Sequence, residues 1–460
     1  MLICLEDNHQ NQEFSHEGAC DKLQELFNSI SGKKYSQLCA HESGFIVFPP
    51  NAKDVDIKND DVVLESHFDN DIFKFTTGNV MGFFSLDEDV RVKISSRFDN
   101  SGKDFFLHYM LQKVCNVAYT PRTESGEDAF YDFLYQLFPY YLNEALAQGI
   151  YRAYVTREYN DANVRGPIDV ARHIKYNIPF NGKIAYHTRE YTTDNVITQL
   201  IRHTIEYIRS LQYGKIVLEN GSKDLRDNIM AIEMATPTYS RNERLNIIHL
   251  NARPVSHPYY TAYEPLRKLC LAILTNQRLS YGNDSENMIA GILFDGASLW
   301  EEYLNIVLAE KFADRLLHPN NRTGFGVQYL FRDNTNKKIR KIYPDFLIDC
   351  DVKEGQVDSA AAIVDAKYKR LDEGMDRDDV FQILAYQFRF KSKQGFLIHP
   401  VEHNKVNEPN SMTLYNDESV KLTIVPFVVP ETTESFDIFC EKMKDKENKL
   451  IENLKANLIF

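Results

Sequence analysis

The sequence predicts an α/β protein: a C-terminal domain over residues 256–460, built as a mixed sheet flanked by helices, preceded by a β-rich and helical region over residues 1–255. Three observations lead there. At 460 residues the chain exceeds what one ordinary core organises, which points to two or three domains. Short runs that alternate apolar and polar residues crowd residues 42–97, as in GFIVF, DIFKFT, NVMGFF and VRVKISS, with Asn, Asp and Gly between them. In the second half the apolar spacing changes between helical and strand periods, in the order helix, three strands, helix, strand.

Taken in chain order, the alternating runs over 42–97 predict a small antiparallel β unit. Apolar residues then recur three and four apart in FFLHYMLQKVC and FYDFLYQLFPYYLNEAL, so two helices follow over 104–115 and 127–147, the second interrupted by Pro139. IYRAYVTREY, VRGPIDVARHIKYNIPF and KIAYHTREY read as strand, turn and strand. An amphipathic helix over 194–211 and another helix over 223–234 come next. The polar, proline-bounded stretch 237–258 is where the domain boundary is expected. Beyond it come a helix over 264–276, the apolar run MIAGILF and a helix over 297–312. The strands GVQYLFR, KIYPDFLID and AAAIVDAKYK, the helix DDVFQILAYQFRF and the strand GFLIHP follow. VKLTIVPFVV and an amphipathic helix over 434–458 close the pattern.

With 43% hydrophobic and 12% aromatic residues, the chain is expected to fold over most of its length. Its formal charge of −13, from 66 acidic against 53 basic residues, is opposite to that of a free-standing nucleic-acid binder. Affinity for a phosphate backbone must then be local or supplied by a partner. Seven cysteines are scattered without CxxC or zinc-ligand spacing and read as reduced thiols. MLICLEDNHQ lacks the basic start and long apolar stretch of a signal peptide, and no run approaches the ~18 apolar residues of a membrane span. A cytoplasmic protein without a membrane segment is expected. No GxxxxGK[ST] loop occurs, which excludes a P-loop motor.

Chemistry concentrates in YPDFLID and IVDAKYK. Asp345 opens one predicted strand, and Asp365 follows 20 residues after it on the next, with Lys367 two residues further on, room enough for a hairpin. Strand alternation puts Asp365 and Lys367 on one face and turns Ala366 the other way, leaving its carbonyl free. An ion pair on a solvated edge strand is the plain alternative. Against it, the preceding AAAIV is apolar on both faces, as in a buried central strand, where an uncompensated charge costs several kcal/mol. Two carboxylates and a lysine are also the groups that hold a divalent cation against a phosphate and position water.

On those residues the segment resembles the active site of the PD-(D/E)xK nuclease superfamily, whose core has the same order of helix, three strands, helix and strand. The resemblance implies a restriction-endonuclease-like C-terminal domain and a Mg²⁺ (or Mn²⁺) dependent DNA endonuclease. Asp345, Asp365 and the Ala366 carbonyl would hold the metal, and Lys367 would orient or activate water. In LWEEYL it implies Glu301 as the helix carboxylate that completes the metal site, with Glu302 the lesser choice and two solvated glutamates the alternative. In DDVFQILAYQ, Gln382 and Tyr386 lie one helical turn apart and match a QxxxY element used near DNA, although Tyr386 also fits a core position.

A narrower resemblance spans most of the chain. TGNVMGFF, VRVKISSRF and FFLHYML are similar to the McrC family, the nuclease subunits of McrBC-type restriction systems, with the LlaJI-like branch as one candidate subgroup. So are RGPIDVARHIKYN, with Arg165, Gly166, Ile168, Asp169 and Arg172, and then PDFLID, VDAKYK, DVFQILAYQF and GFLIHP. Residues 1–40 and about 215–285 carry little of the likeness, and Ser96 stands where the family pattern has proline. The resemblance implies a hexameric AAA+ GTPase partner of the McrB kind that recognises modified double-stranded DNA and translocates. This chain would dock in its channel, stimulate hydrolysis and cut, dimerising at least transiently to cut both strands. Arg91, Lys93 and Arg97 are candidates for reaching the partner's nucleotide, with a solvated strand face as the alternative. A non-catalytic activator of the ring and a stand-alone repair nuclease are the rival readings. The intact Asp345, Asp365 and Lys367 set disfavours the first, and the net charge disfavours the second.

Overall fold

The computed structural model describes residues 2–15, 24, 27–28, 30–34, 37, 45–48, 62–69, 72–85, 90–99, 103–115, 126–211, 214–219, 222–255, 257–279, 290–319, 325–353, 355–371, 374–405, 408–431 and 435–458. They fall into two compact units, one mainly Met1–Val114 with Asp284–Phe460 and the other mainly Ser125–Asn283. That division departs from the expected cut between residues 255 and 256. Strand pairing across the chain, described below, ties the N-terminal strands to the C-terminal ones.

The first unit opens with β1 (Leu2–Glu6), β2 (Gln12–Ser15), β3 (Phe45–Phe48), β4 (Leu64–Asp69), β5 (Ile72–Thr77), β6 (Val80–Ser85), β7 (Arg91–Ser95) and helix α1 (Phe105–Cys115). Strand β5 buries every second residue, Phe73, Phe75 and Thr77, and carries a three-stranded antiparallel sheet in the order β2-β5-β4. Its aromatic face packs with Phe27, Leu64, Phe84 and Val92 into one core. The expected single β unit is thus two sheets, because β6 and β7 pair elsewhere.

The second unit holds α2 (Gly126–Ala147), β8 (Ala153–Asp161), α3 (Val170–Asn177), β9 (Ile184–Thr192), α4 (Val196–Ser210), α5 (Gly214–Glu219), α6 (Lys223–Ala235), α7 (Arg244–Leu250) and α8 (Tyr263–Leu279). Strands β8 and β9 form an antiparallel hairpin. The connection expected as a turn contains α3, started by the Asp169 side chain accepting from the Arg172 backbone N–H. Helix α2 runs through Pro139, and α4 starts on a reciprocal capping box between Asn195 and Thr198.

The chain then returns to the first unit with β10 (Ala290–Asp295), α9 (Gly296–Phe312), β11 (Leu316–Leu317), β12 (Gln328–Arg332), β13 (Lys338–Ile342), β14 (Phe346–Lys353), β15 (Gln356–Ala366), α10 (Arg377–Arg389), β16 (Gln394–Val401), β17 (Asn410–Leu414), β18 (Asp417–Val428) and α11 (Phe436–Asn457). Strand β10 enters the N-terminal sheet, antiparallel to β6 and parallel to β3, in the order β1-β7-β6-β10-β3. Gly82 on β6 lies so close to β10 that a Cβ there would be 2.0 Å from the Ile292 carbonyl oxygen.

The second sheet is six-stranded and mixed, in the order β11-β14-β15-β16-β18-β17. Strands β14 and β15 are antiparallel, while β15, β16 and β18 run parallel. Helix α10 packs on β15 and β16, and α9 on β15. Every residue of β16 is buried, as expected of a strand covered on both faces. The expected strand KIYPDFLID is two. Residues Lys338–Ile342 pair with β12, and Phe346–Lys353 enter the large sheet. Pro344, which has no N–H to give a ladder, lies in the break, and Asp345 follows it.

Candidate active site

The register of β14 on β15 sets Phe346 opposite Val364, so Asp345, one residue before β14, arrives beside the end of β15. There its Oδ2 accepts the Ala366 N–H at 2.7 Å. Asp365 is 2% exposed and pairs in register with Leu397 of β16. Lys367 lies just past β15, yet its N–H still donates to the Ile398 carbonyl at 2.9 Å, which continues the extended course. Its Nζ comes to 2.6 Å from Asp365 Oδ2. Strand alternation and hairpin closure thus bring Asp345, Asp365, Ala366 and Lys367 to one place.

Helix α10 closes a second side. Lys367 Nζ donates to Gln382 Oε1 at 3.0 Å, and Gln382 Nε2 donates to the Tyr386 hydroxyl at 3.3 Å. Gln382 is exposed, whereas the Tyr386 ring belongs to the core with Ile363, Ile383 and Leu397. The core and site readings of Tyr386 therefore describe two ends of one side chain. Asp379, one turn earlier, has Oδ1 3.6 Å from Lys367 Nζ and pairs through Oδ2 with Lys369.

The charges are strongly interdependent. Burial, then the charges of Asp365 and Glu301, push the Asp345 carboxyl well above the usual range, against the opposing pull of Lys367. Asp365 is also pushed up by burial, although Lys367 counters it. For Lys367 burial acts against the charged form, but Asp365 and Asp345 outweigh it and hold the ammonium above its ordinary pKa. Tyr386 is raised by burial and, more weakly, by the same two aspartates.

Glu301, half-buried on α9, is near enough for its charge to bear on Asp345. A residue that sequence reasoning passed over lies between them. His318 Nδ1 is 2.6 Å from the Asp345 backbone carbonyl, its ring stacks on Phe346 at 4.9 Å, and its Nε2 is 3.8 Å from Glu301 Oε1. In RLLHPN it is a lone histidine with no ligand spacing. Only the pairing of Leu317 with Leu347 brings it beside Asp345.

Lys93 and Arg97 do not form the exposed basic face expected for reaching a partner. Lys93 pairs with the buried Asp104. Arg97 is 6% exposed, with Nη1 3.0 Å from Asp7 Oδ2 and 2.9 Å from Asn79 Oδ1, and Nη2 donating to the Tyr368 carbonyl at 2.5 Å. Its charge is spent inside the unit, tying β7 to the residue after Lys367. Arg91 is half-buried and also engaged.

The donors suit a hard divalent cation in kind: two mutually repelling aspartates, a nearby glutamate and the Ala366 carbonyl. Asp365 Oδ2 and His318 Nε2 are buried and make no hydrogen bond of good geometry among the described residues. Among those residues no three His, Cys, Asp or Glu side chains already converge as a closed ligand set. The Lys367 ammonium instead compensates Asp365.

Fold and site together define a mixed α/β protein with a carboxylate-lysine centre at the ends of adjacent strands of a six-stranded sheet. The family model described as McrBC 5-methylcytosine restriction system component matches residues 75–400, and the chain belongs to that family. No curated protein matches it significantly. A solved half-complex from the tetradecameric assembly of Thermococcus gammatolerans McrB AAA+ hexamers with bound McrC contains a similar chain. The two share 14% identity with a TM-score of 0.46, over 97% of this chain and 100% of the other. A chain in the cryo-EM structure of the Thermococcus gammatolerans McrBC complex is similar at 15% identity and a TM-score of 0.29, over 68% of this chain and 89% of that one. No helix among the described residues is long and apolar enough to cross a membrane.

Proposed function

We propose that this chain is the McrC-like, DNA-cutting subunit of its restriction system, a Mg²⁺ or Mn²⁺ dependent endonuclease with a PD-(D/E)xK site on a restriction-endonuclease-like sheet. The observation that carries this reading is the meeting of Asp345, Asp365 and Lys367 at the ends of β14 and β15, with Lys367 Nζ 2.6 Å from Asp365 Oδ2. Two buried carboxylates of like charge, one paired to a buried lysine, are costly to keep and give a scaffold nothing.

Asp345, Asp365, Glu301 and the Ala366 carbonyl would hold the cation, which when bound supplies electrostatic stabilisation at the scissile phosphate. Lys367, kept protonated by its two aspartate neighbours, orients the attacking water and stabilises charge that builds on the phosphate. Gln382, hydrogen-bonded to both Lys367 and the Tyr386 hydroxyl, fixes the lysine from the helix side, and its exposed amide would contact DNA. The chain works with a hexameric AAA+ GTPase of the McrB kind, which contributes recognition of modified double-stranded DNA and translocation. An acidic chain without a phosphate-binding loop supports that division of labour. Two copies of the site, meeting at least transiently, cut the two strands.

Plasmid cleavage tests the reading. Wild type, Asp365→Ala and Lys367→Ala are assayed with Mg²⁺, with and without the AAA+ partner and GTP, on methylated and unmethylated DNA. Cleavage is expected to require the partner and to fall by about 10³-fold or more in either variant, with GTP hydrolysis still stimulated. Stimulated hydrolysis without cutting by the wild type would make the chain a non-catalytic activator. Partner-independent cutting would make it a stand-alone nuclease.

A further inference from the structure

His318 is built like a ligand. The Asp345 carbonyl 2.6 Å from its Nδ1 can only accept a hydrogen bond, so Nδ1 carries a ring proton and Nε2 is the nitrogen whose lone pair is available to a ligand-binding role. That lone pair is buried and without a hydrogen bond, and the Glu301 carboxylate oxygen 3.8 Å away is also an acceptor. An imidazole nitrogen facing a carboxylate oxygen at this distance is bridged by a positive charge, either a second ring proton or a metal cation. Their separation is too wide for a direct hydrogen bond. It suits two ligands of one divalent cation, which at ~2.1 Å each stand between ~3 and ~4 Å apart. Histidines that bind metals characteristically donate the other ring N–H to a carbonyl, which fixes tautomer and orientation, and here that carbonyl belongs to Asp345 itself. Stacking on Phe346 holds the ring plane.

We infer that His318 Nε2 is a nitrogen ligand of the site's divalent cation, acting with Glu301, and that it biases the site toward Mn²⁺ over Mg²⁺. Magnesium takes oxygen donors and sheds water reluctantly, whereas transition-metal ions accept imidazole. His318 has this role only if the site holds a cation, as proposed above.

The test is pulsed electron paramagnetic resonance on Mn²⁺ bound to the full-length chain grown with ¹⁵N-labelled histidine. A directly bonded ¹⁵N coupling is expected in the wild type and should be absent from His318→Gln, whose Mn²⁺ dissociation constant should rise about tenfold or more. Mg²⁺ affinity, measured by competition, should change less. Bound Mn²⁺ without ¹⁵N coupling would overturn the inference and leave His318 as an ion-pair partner of Glu301. The wild-type spectrum decides this even should the variant fold poorly. Failure of the wild type to bind Mn²⁺ at all, or undiminished binding by Asp345→Asn, would instead remove the cation site itself.

Discussion

Arg97 and Asp7 meet in the interior, with Asp7 wholly buried and its Oδ1 accepting the Arg97 backbone N–H at 2.6 Å. Burial raises the Asp7 carboxyl from 3.8 to about 6, although the Arg97 charge pulls the other way. A carboxyl whose folded pKa lies above its unfolded value favours the fold most when protonated. That contribution is complete below pH 3.8 and is lost as pH rises through about 6. Asp7→Asn mimics the protonated form. Its melting temperature relative to wild type should therefore improve as pH is raised from 4 to 7, by an amount equivalent to at most about 3 kcal/mol. If the variant instead falls further behind with rising pH, the pairing with Arg97 outweighs burial. At this scale Asp345, Asp365 and Lys367 could be read from the sequence, because charge on a strand apolar on both faces is conspicuous. Arg97 could not, since a basic residue in VKISSRF reads as solvated until its partners Asp7, Asn79 and Tyr368 are known.

Among the elements, β15 and β10 stand at opposite extremes of legibility. Strand β15 announces itself by a long apolar run, and its neighbour β14 is close in sequence, so the pair is a local hairpin. Strand β10 also reads as an apolar run, but its partners β6 and β3 lie some two hundred residues away, and nothing in MIAGILF names them. What permits the pairing is Gly82, at φ 143° against β10. Gly82→Ala should cost about 3 kcal/mol, because the added methyl meets the Ile292 backbone and the backbone conformation is strained. Gly149→Ala, at φ 86° with open space around it, should cost only about 1 kcal/mol. Urea denaturation of both variants checks the contrast, and equal losses would show that the close approach of β6 to β10 has little weight.

Across the whole molecule, chain order and compactness disagree. A fragment covering 256–460 contains β10 and α9 but lacks β6, which hydrogen-bonds β10. It also lacks Ser96 and Arg97, which hold the Tyr368 hydroxyl and carbonyl. Such a fragment should show no cooperative thermal transition by circular dichroism, whereas one covering 125–283 should melt cooperatively, as a unit with its own core. Cooperative melting of 256–460 alone would mean that the N-terminal strands are dispensable for its folding. The sequence by itself determined the order and type of most elements and the cluster of Asp345, Asp365 and Lys367. Periodicity, turn chemistry and a charged pair on an apolar strand are all properties of short windows. Tertiary structure alone decided that the N-terminal strands complete the C-terminal unit, that Arg97 faces inward, and that His318 lies against Asp345. Each of these depends on pairing between distant strands, for which apolar runs of similar composition are interchangeable partners until packing and register select among them.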